Sequence, residues 1–264
     1  MVVDNMERRR RASLRVKRPG DRRSMSRSAT RALDVLEQFG RLQRPLRAIE
    51  ISKVLGLQPS TTDQLLKTMV DSAHLVFDAA TKSYLPSPRL MEFSGWILEG
   101  YGGDARLRRL LRDLELGPAE VATLSTPNDL FMQILDLTGA GPEGPKAERG
   151  LRAPIFESAI GAAYLSSLTD AEIRRLATRA RIPTQEIPQL IEDAARARQA
   201  GFADGPSPVE GTWSIAVALP AQGFAVPLVL GLTGRRERVQ GRLAEVHAQV
   251  RAAIDRWISP PAAD

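Results

Sequence analysis

Residues 50–72 read EISKVLGLQPSTTDQLLKTMVDS, and this stretch decides the architecture of the N-terminal part. A short helix over about 47–55 carries Ile51, Val54 and Leu55 inward and stops at Gly56. Leu57-Gln58-Pro59 makes a turn. Ser60-Thr61-Thr62-Asp63 then reads as a capping box: the Ser60 oxygen takes an orphan N–H while Asp63 reaches back. The helix it opens runs to about Ser72, with Leu65, Leu66, Met69 and Val70 as its buried stripe and Thr62 on the same side. Upstream, Leu33, Leu36 and Phe39, with Ala29 and Ala32, recur at helical spacing from Ser28 to a stop at Gly40. Downstream, Leu75-Val76-Phe77 and Ser83-Tyr84-Leu85 flank the polar loop 78–82, the pattern of a hairpin. Three helices followed by a hairpin make a winged helix-turn-helix.

The outer face of the third helix carries Thr61, Gln64, Lys67, Thr68 and Asp71. It is small, polar and rich in hydrogen-bonding groups, which suits a helix that enters a major groove. The amide of Gln64 can pair with adenine N6 and N7, so Gln64 is the candidate base reader. Lys67 and Ser60 are candidates for phosphate contacts, and Lys82 at the wing tip is another. Arg27, Arg31, Gln58, Thr61 and Thr68 complete the expected DNA-binding set. An ordinary solvent-exposed helix face would carry similar residues. His74 opens the hairpin and reads as a structural or surface residue.

Residues 28–98 resemble the winged helix-turn-helix of IclR-type transcriptional regulators. Arg31-Ala32-Leu33, the 50–57 segment, Gln58 to Thr68, and Tyr84-Leu85-Pro86-Ser87-Pro88-Arg89-Leu90 carry the resemblance. Two positions depart from it: Gln64 stands where the family often has Arg, and Thr62 where it often has an apolar β-branched residue. Residues 89–101 read as a helix containing Leu90, Phe93, Trp96, Ile97 and Leu98, ended by Gly100 and Gly102-Gly103. The resemblance makes it the linker that helps pair two subunits. It implies a homodimer, with a tetramer as the larger alternative, and one recognition helix per half-site.

Beyond it the pattern predicts a helix over 104–114 and strands at 121–124 and 131–135 joined through Pro127-Asn128-Asp129. Helices over 158–167, 169–180 and 184–200 follow, then strands at 202–203, 213–219 and 226–233, and a last helix over 238–258. The fold class is α+β: a winged helix-turn-helix, a linker helix and an α+β domain with an antiparallel sheet flanked by helices. The expected domains are a basic arm (1–27), the winged helix (28–88), the linker (89–103), a GAF-like effector-binding domain (104–258) and a tail (259–264). Gly139-Ala140-Gly141-Pro142-Glu143-Gly144 matches a dinucleotide fingerprint, but Pro142 and Pro145 interrupt the place where a helix must begin, so a loop is expected.

The resemblance extends more weakly through the second domain, carried by residues 154–163, 198–204 and 211–220. It implies a pocket for a small, often carboxylate-bearing metabolite, lined by Ala159, Ile160, Asp204, Ser214, Ile215, Gly231 and Thr233. A helix N-terminus near Ser158, the hydroxyls of Ser158, Ser214 and Thr233, and an apolar wall at Trp213 suit an organic acid. The strand residues are equally compatible with plain core positions. The family often has Cys where Ser214 stands and Lys where Ala162 stands, and the loops at 139–146 and 221–225 look short.

The chain has 264 residues with a formal net charge of +6. Residues 1–31 hold eleven basic groups against three acids, a net +8, so residues 32–264 sum to −2. The charge belongs to an arm without apolar periodicity, expected disordered when free. It can neutralise phosphates or enter a minor groove, serve as a solvated tail, or reflect the composition of a transit peptide. With no Cys and only His74 and His247, thiolate zinc sites, a cysteine nucleophile and a multi-histidine metal site are excluded. No cofactor, metal site, catalytic residue or membrane span is expected, and the location expected is the cytoplasm. The function that follows is a DNA-binding regulator of an operator, modulated by a small-molecule effector. Its alternatives are a winged-helix protein whose second domain only dimerises, or an enzyme built on that domain.

Overall fold

The computed structural model describes residues 26–92, 94–95, 106–112, 114, 116–117, 119–139, 147–207, 209, 211–221 and 226–258. The basic arm up to residue 25, the linker around Trp96, the loop 140–146, residues 222–225 and the tail lie outside the described residues. The described chain falls into two compact units, one within 20–99 and one from residue 100 on.

In the first unit α1 (Arg27–Leu42), α2 (Ala48–Leu55) and α3 (Pro59–Asp71) enclose one core. Val35, Phe39, Leu46, Ile51, Leu66, Met69, Leu75 and Tyr84 are buried together. The expected stripe of α1 shifts: Leu33 is 62% exposed, while Val35 and Phe39 point inward with Ala32 and Leu36 partly covered. Gly40 does not stop the helix, which continues to a left-handed cap at Gln43 (φ 51°). In α2 the outward residue is Val54, 48% exposed, and Ser52 takes the inner position. The Ser52 hydroxyl donates to the Leu57 carbonyl at 2.8 Å and so braces the turn. Gly56, at φ +61°, holds the left-handed position that ends α2.

The expected capping box on α3 is absent. The N-cap is Gln58, without a side-chain cap, and Pro59 occupies the first turn. Proline has no N–H to satisfy there and its fixed φ starts the helix one residue early. Ser60 is therefore exposed inside the helix. Thr62 is fully buried, and its hydroxyl donates to the Gln58 carbonyl at 3.2 Å, so the polar atom is satisfied.

The hairpin forms from β2 (Leu75–Asp78) and β3 (Ser83–Pro86). A two-residue strand, β1 (Leu46–Arg47), joins the other edge of β3 and pairs Leu46 with Tyr84. Asp78 shapes the loop: its carboxylate accepts from the Thr81 hydroxyl at 2.6 Å and the Ala80 N–H at 2.9 Å. The Thr81 bond, then the Ala80 N–H, hold this carboxyl below its ordinary range. After the hairpin, Arg89 donates to the Ser72 carbonyl at 3.0 Å, and residues 90–92 and 94–95 are helical.

The second unit is a six-stranded antiparallel sheet in the order β6-β5-β4-β9-β8-β7. Its strands are β4 (Val121–Asn128), β5 (Phe131–Gly139), β6 (Arg152–Pro154), β7 (Ala203–Pro206), β8 (Thr212–Ala218) and β9 (Val229–Arg235). Strand β6 was not expected from the sequence; its three residues are too short to show alternation. One face of the sheet carries Ala122, Leu124, Ile215, Val217, Leu230 and Leu232. They pack on α4 (Arg106–Arg112) and the last helix, which a break at Gly241 divides into α8 (Arg236–Gln240) and α9 (Leu243–Ile258). His247 packs against the Phe202 ring, centroids 4.3 Å apart, and burial pushes its imidazole below the ordinary value. It is a packing residue, as its sequence position suggests.

The other face is covered by α5 (Ala159–Ser166), α6 (Asp170–Arg179) and α7 (Ile187–Ala200). Helix α5 lies close to the sheet because Gly231 has no side chain; a Cβ there would meet the Ile160 Cγ2 at 2.9 Å. A capping box opens α6. Thr169 Oγ1 accepts from the Glu172 N–H at 3.4 Å, and Glu172 accepts from the Thr169 N–H at 2.8 Å. Thr169→Ala should cost about 1 kcal/mol, read as a fall of roughly 2–4 °C in the melting temperature of this unit.

Candidate nucleic-acid interface and effector site

The winged-helix core fixes which side of α3 faces solvent. With Thr62, Leu66 and Met69 buried, Gln64, Lys67, Thr68 and Asp71 are exposed on the opposite side, and Thr61 is half-buried. Gln58 and Ser60 are exposed at the start of the same helix. Arg27 is exposed at the start of α1 and Arg31 is half-buried one turn later. Lys82 is exposed in the hairpin loop at φ +52°, held there by the Asp78–Thr81–Ser83 hydroxyl network.

Two local bonds tune this face. The Thr68 hydroxyl donates to the Gln64 carbonyl at 2.9 Å, which leaves the Gln64 amide uncommitted to it. The Lys67 ammonium sits 2.8 Å from Asp63 one turn back, and that hydrogen bond raises its pKa. A phosphate approaching Lys67 therefore competes with Asp63, which the sequence did not signal because Asp63 was assigned to the cap. Arg47 is exposed and Arg44, half-exposed, is tied to Glu50 at 2.7 Å, between β1 and the wing. Sequence reasoning missed both, since nothing local marks a two-residue strand.

This arrangement can present a polar helix and a wing tip to DNA, and known proteins share it. Residues 28–76 match the IclR helix-turn-helix domain. The chain is 25% identical over 249 residues to the HTH-type transcriptional regulator XynR of Escherichia coli, covering 86% of this chain and 93% of that one. The chain carries an IclR helix-turn-helix domain and is similar to IclR-type transcriptional regulators.

The solved structures agree in fold. The IclR protein of Thermotoga maritima superposes with a TM-score of 0.56 at 13% identity, covering 87% of this chain and 96% of that one. An IclR-type regulator of Alicyclobacillus acidocaldarius gives 0.52 at 20% identity, covering 89% and 97%. Among the described residues no helix is long and apolar enough to cross a membrane, and no group of acidic residues and histidines could hold a metal ion.

The expected effector residues fall into three places. Ser214 and Thr233 pair across β8 and β9 beneath α5, with their hydroxyl oxygens 2.6 Å apart and buried. Gly231 shares that face under Ile160, and Thr123 of β4 is its cross-strand neighbour, with its hydroxyl 3.4 Å from the Gly231 carbonyl. Trp213 and Ile215 alternate with Ser214 and so stand on the opposite face of the sheet. Trp213 donates its indole N–H to Asp204 at 3.0 Å, and the Arg236 guanidinium lies 5.1 Å above its ring. Ser158 and Ala159 begin α5. The Ser158 hydroxyl is spent on the fold: it donates to the Pro154 carbonyl at 2.8 Å and accepts from the Gly161 N–H at 3.2 Å.

A cavity of about 230 Å³ lies between α5, α7 and β7. Of the expected effector residues only Ser158 and Asp204 line it. The rest of its wall comes from residues that the sequence did not mark, such as Leu165, Leu190 and Ala197.

Proposed function

We propose that this regulator binds operator DNA as a dimer, with the two α3 helices in successive major grooves and the wings on the flanking backbone. The observation that carries the reading is the exposed polar face of α3, set on a core that buries Leu66 completely. Gln64 reads a base edge, Thr61 and Thr68 help to place it, and Ser60, Lys67 and Lys82 meet phosphates. Residues 1–31, net +8, add salt-sensitive attraction that residues 32–264, net −2, do not supply. In this reading the protein works in the cytoplasm, where its operator would be.

The second unit is the sensor in this reading, and its ligand is a small organic acid seated on the Ser214–Thr233 pair. Each hydroxyl has one proton, and the bond between them uses only one of the two. The other proton is available to a carboxylate oxygen. The ligand changes operator affinity to the extent that it prefers one of the protein's DNA-affinity states.

Thermal shift with acetate, pyruvate and benzoate tests the sensor. A carboxylate should stabilise the protein and alter operator affinity, and Ser214→Ala or Thr233→Val should weaken its binding by about tenfold. If no carboxylate binds and operator affinity never changes, the second unit serves dimerisation alone.

A further inference from the structure

We propose that the cavity between α5, α7 and β7 is a second small-molecule site, one that takes a neutral, ring-sized apolar molecule. It goes beyond the sensor reading, because Ser214, Gly231 and Thr233 take no part in its wall.

Shape comes first. The space of about 230 Å³ is walled by Phe156, Leu165, Leu190 and Ala203, all buried in one apolar cluster. Ala162 on α5 and Ala197 on α7 bring no bulk to close it. Arg198 of α7 keeps the two helices from drawing together over it. Its guanidinium donates to the Ser166 and Leu168 carbonyls at 2.7 and 2.6 Å, which fixes α7 against the end of α5. A dry apolar cavity of about 150 Å³ already holds benzene, so this one has room for a ring with a substituent.

Polarity sets the class of ligand. Ser158 is committed to the fold, donating to the Pro154 carbonyl and accepting from the Gly161 N–H. Asp204 stands opposite Ile215 across β7 and β8, so its carboxylate turns to the far face of the sheet, where it accepts from Trp213. The Phe202 ring likewise leaves the cavity to stack on His247. Asp193 and Arg196 remain, and they pair with each other within reach of solvent, their side chains 29% and 55% exposed. Among the described residues the wall therefore offers no polar side chain that is both buried and uncommitted. A buried water needs several such partners, so the space is dry. A charged ligand would lose its hydration there without gaining a buried counter-charge. A neutral apolar ring loses only its contact with water, and burial favours it.

Titration calorimetry on the full chain with toluene, benzylamine and benzoate tests this, since the three share a ring and differ in charge. Toluene should bind saturably, and neither benzylamine nor benzoate should displace it. Ala197→Phe should fill the space and abolish toluene binding, and Ser214→Ala should leave it unchanged. Ala197→Leu, a milder filling, should weaken toluene about tenfold or more. Should Ala197→Phe not fold, Ala197→Leu decides. The proposal is overturned if toluene does not bind the folded protein, if either charged analogue displaces it, or if Ala197→Leu binds it like the parent. It is also overturned if Ser214→Ala weakens toluene, which would place the ring in the sensor site. Failure of toluene leaves the sensor reading standing, because that reading is decided by carboxylates at Ser214 and Thr233.

Discussion

Leu66→Ala should unfold the winged-helix unit while leaving the second unit intact. Leu66 is 0% exposed at the centre of α3, in one cluster with Val35, Phe39, Leu46 and Ile51. Deleting a buried leucine to alanine removes its transfer free energy and leaves a cavity, together about 3–4 kcal/mol. A domain of this size has only roughly 5 kcal/mol to lose, and each kcal/mol shifts its melting temperature by about 4–8 °C. Calorimetry should show the transition of the first unit displaced by roughly 15 °C or more, with that of the second unit in place. DNA affinity should fall with the folded fraction. A variant that melts and binds like the parent would mean that α3 is not anchored through Leu66.

Much of this unit is legible in the sequence because its helices are amphipathic and its turns are punctuated by Gly56 and Pro59. What escaped is where two local rules compete. Ser60 and Asp63 spell a capping box, yet Pro59 starts the helix one residue earlier, which leaves Asp63 to pair with Lys67. Leu33 and Val35 are both apolar candidates for α1, and only packing against α2 and α3 selects Val35. Strands β1 and β6 have two and three residues, too few for a period to show.

The effector residues divide for a reason that strand geometry explains. Ser214 and Ile215 are neighbours on β8, and successive side chains point to opposite faces, so both cannot reach one pocket from the strand itself. Ser214, Gly231 and Thr233 do gather under α5, as cross-strand partners must. The α5–α7 cavity had no local signal: its walls join residues near 155–165 to residues near 190–204, and each stretch alone reads as an ordinary core helix.

The recognition face gives the second large effect. Gln64 is exposed at the middle of the outward stripe, and its side-chain amide is the group on that stripe that can pair twice with one base. Removing such a bidentate contact costs about 1–3 kcal/mol of discrimination at one position, a loss of roughly 5- to 150-fold in preference there. Lys67 differs: it is a point charge paired with Asp63, and in the proposed complex a phosphate takes the place of that carboxylate. Lys67→Ala should lower affinity on every sequence alike and flatten the salt dependence.

The most direct measurement is therefore a base-by-base competition of the operator against the parent protein and Gln64→Ala. The account predicts that the variant loses preference at one symmetric pair of half-site positions and keeps it elsewhere. An unchanged preference at every position, with affinity intact, would contradict the placement of α3 in the major groove.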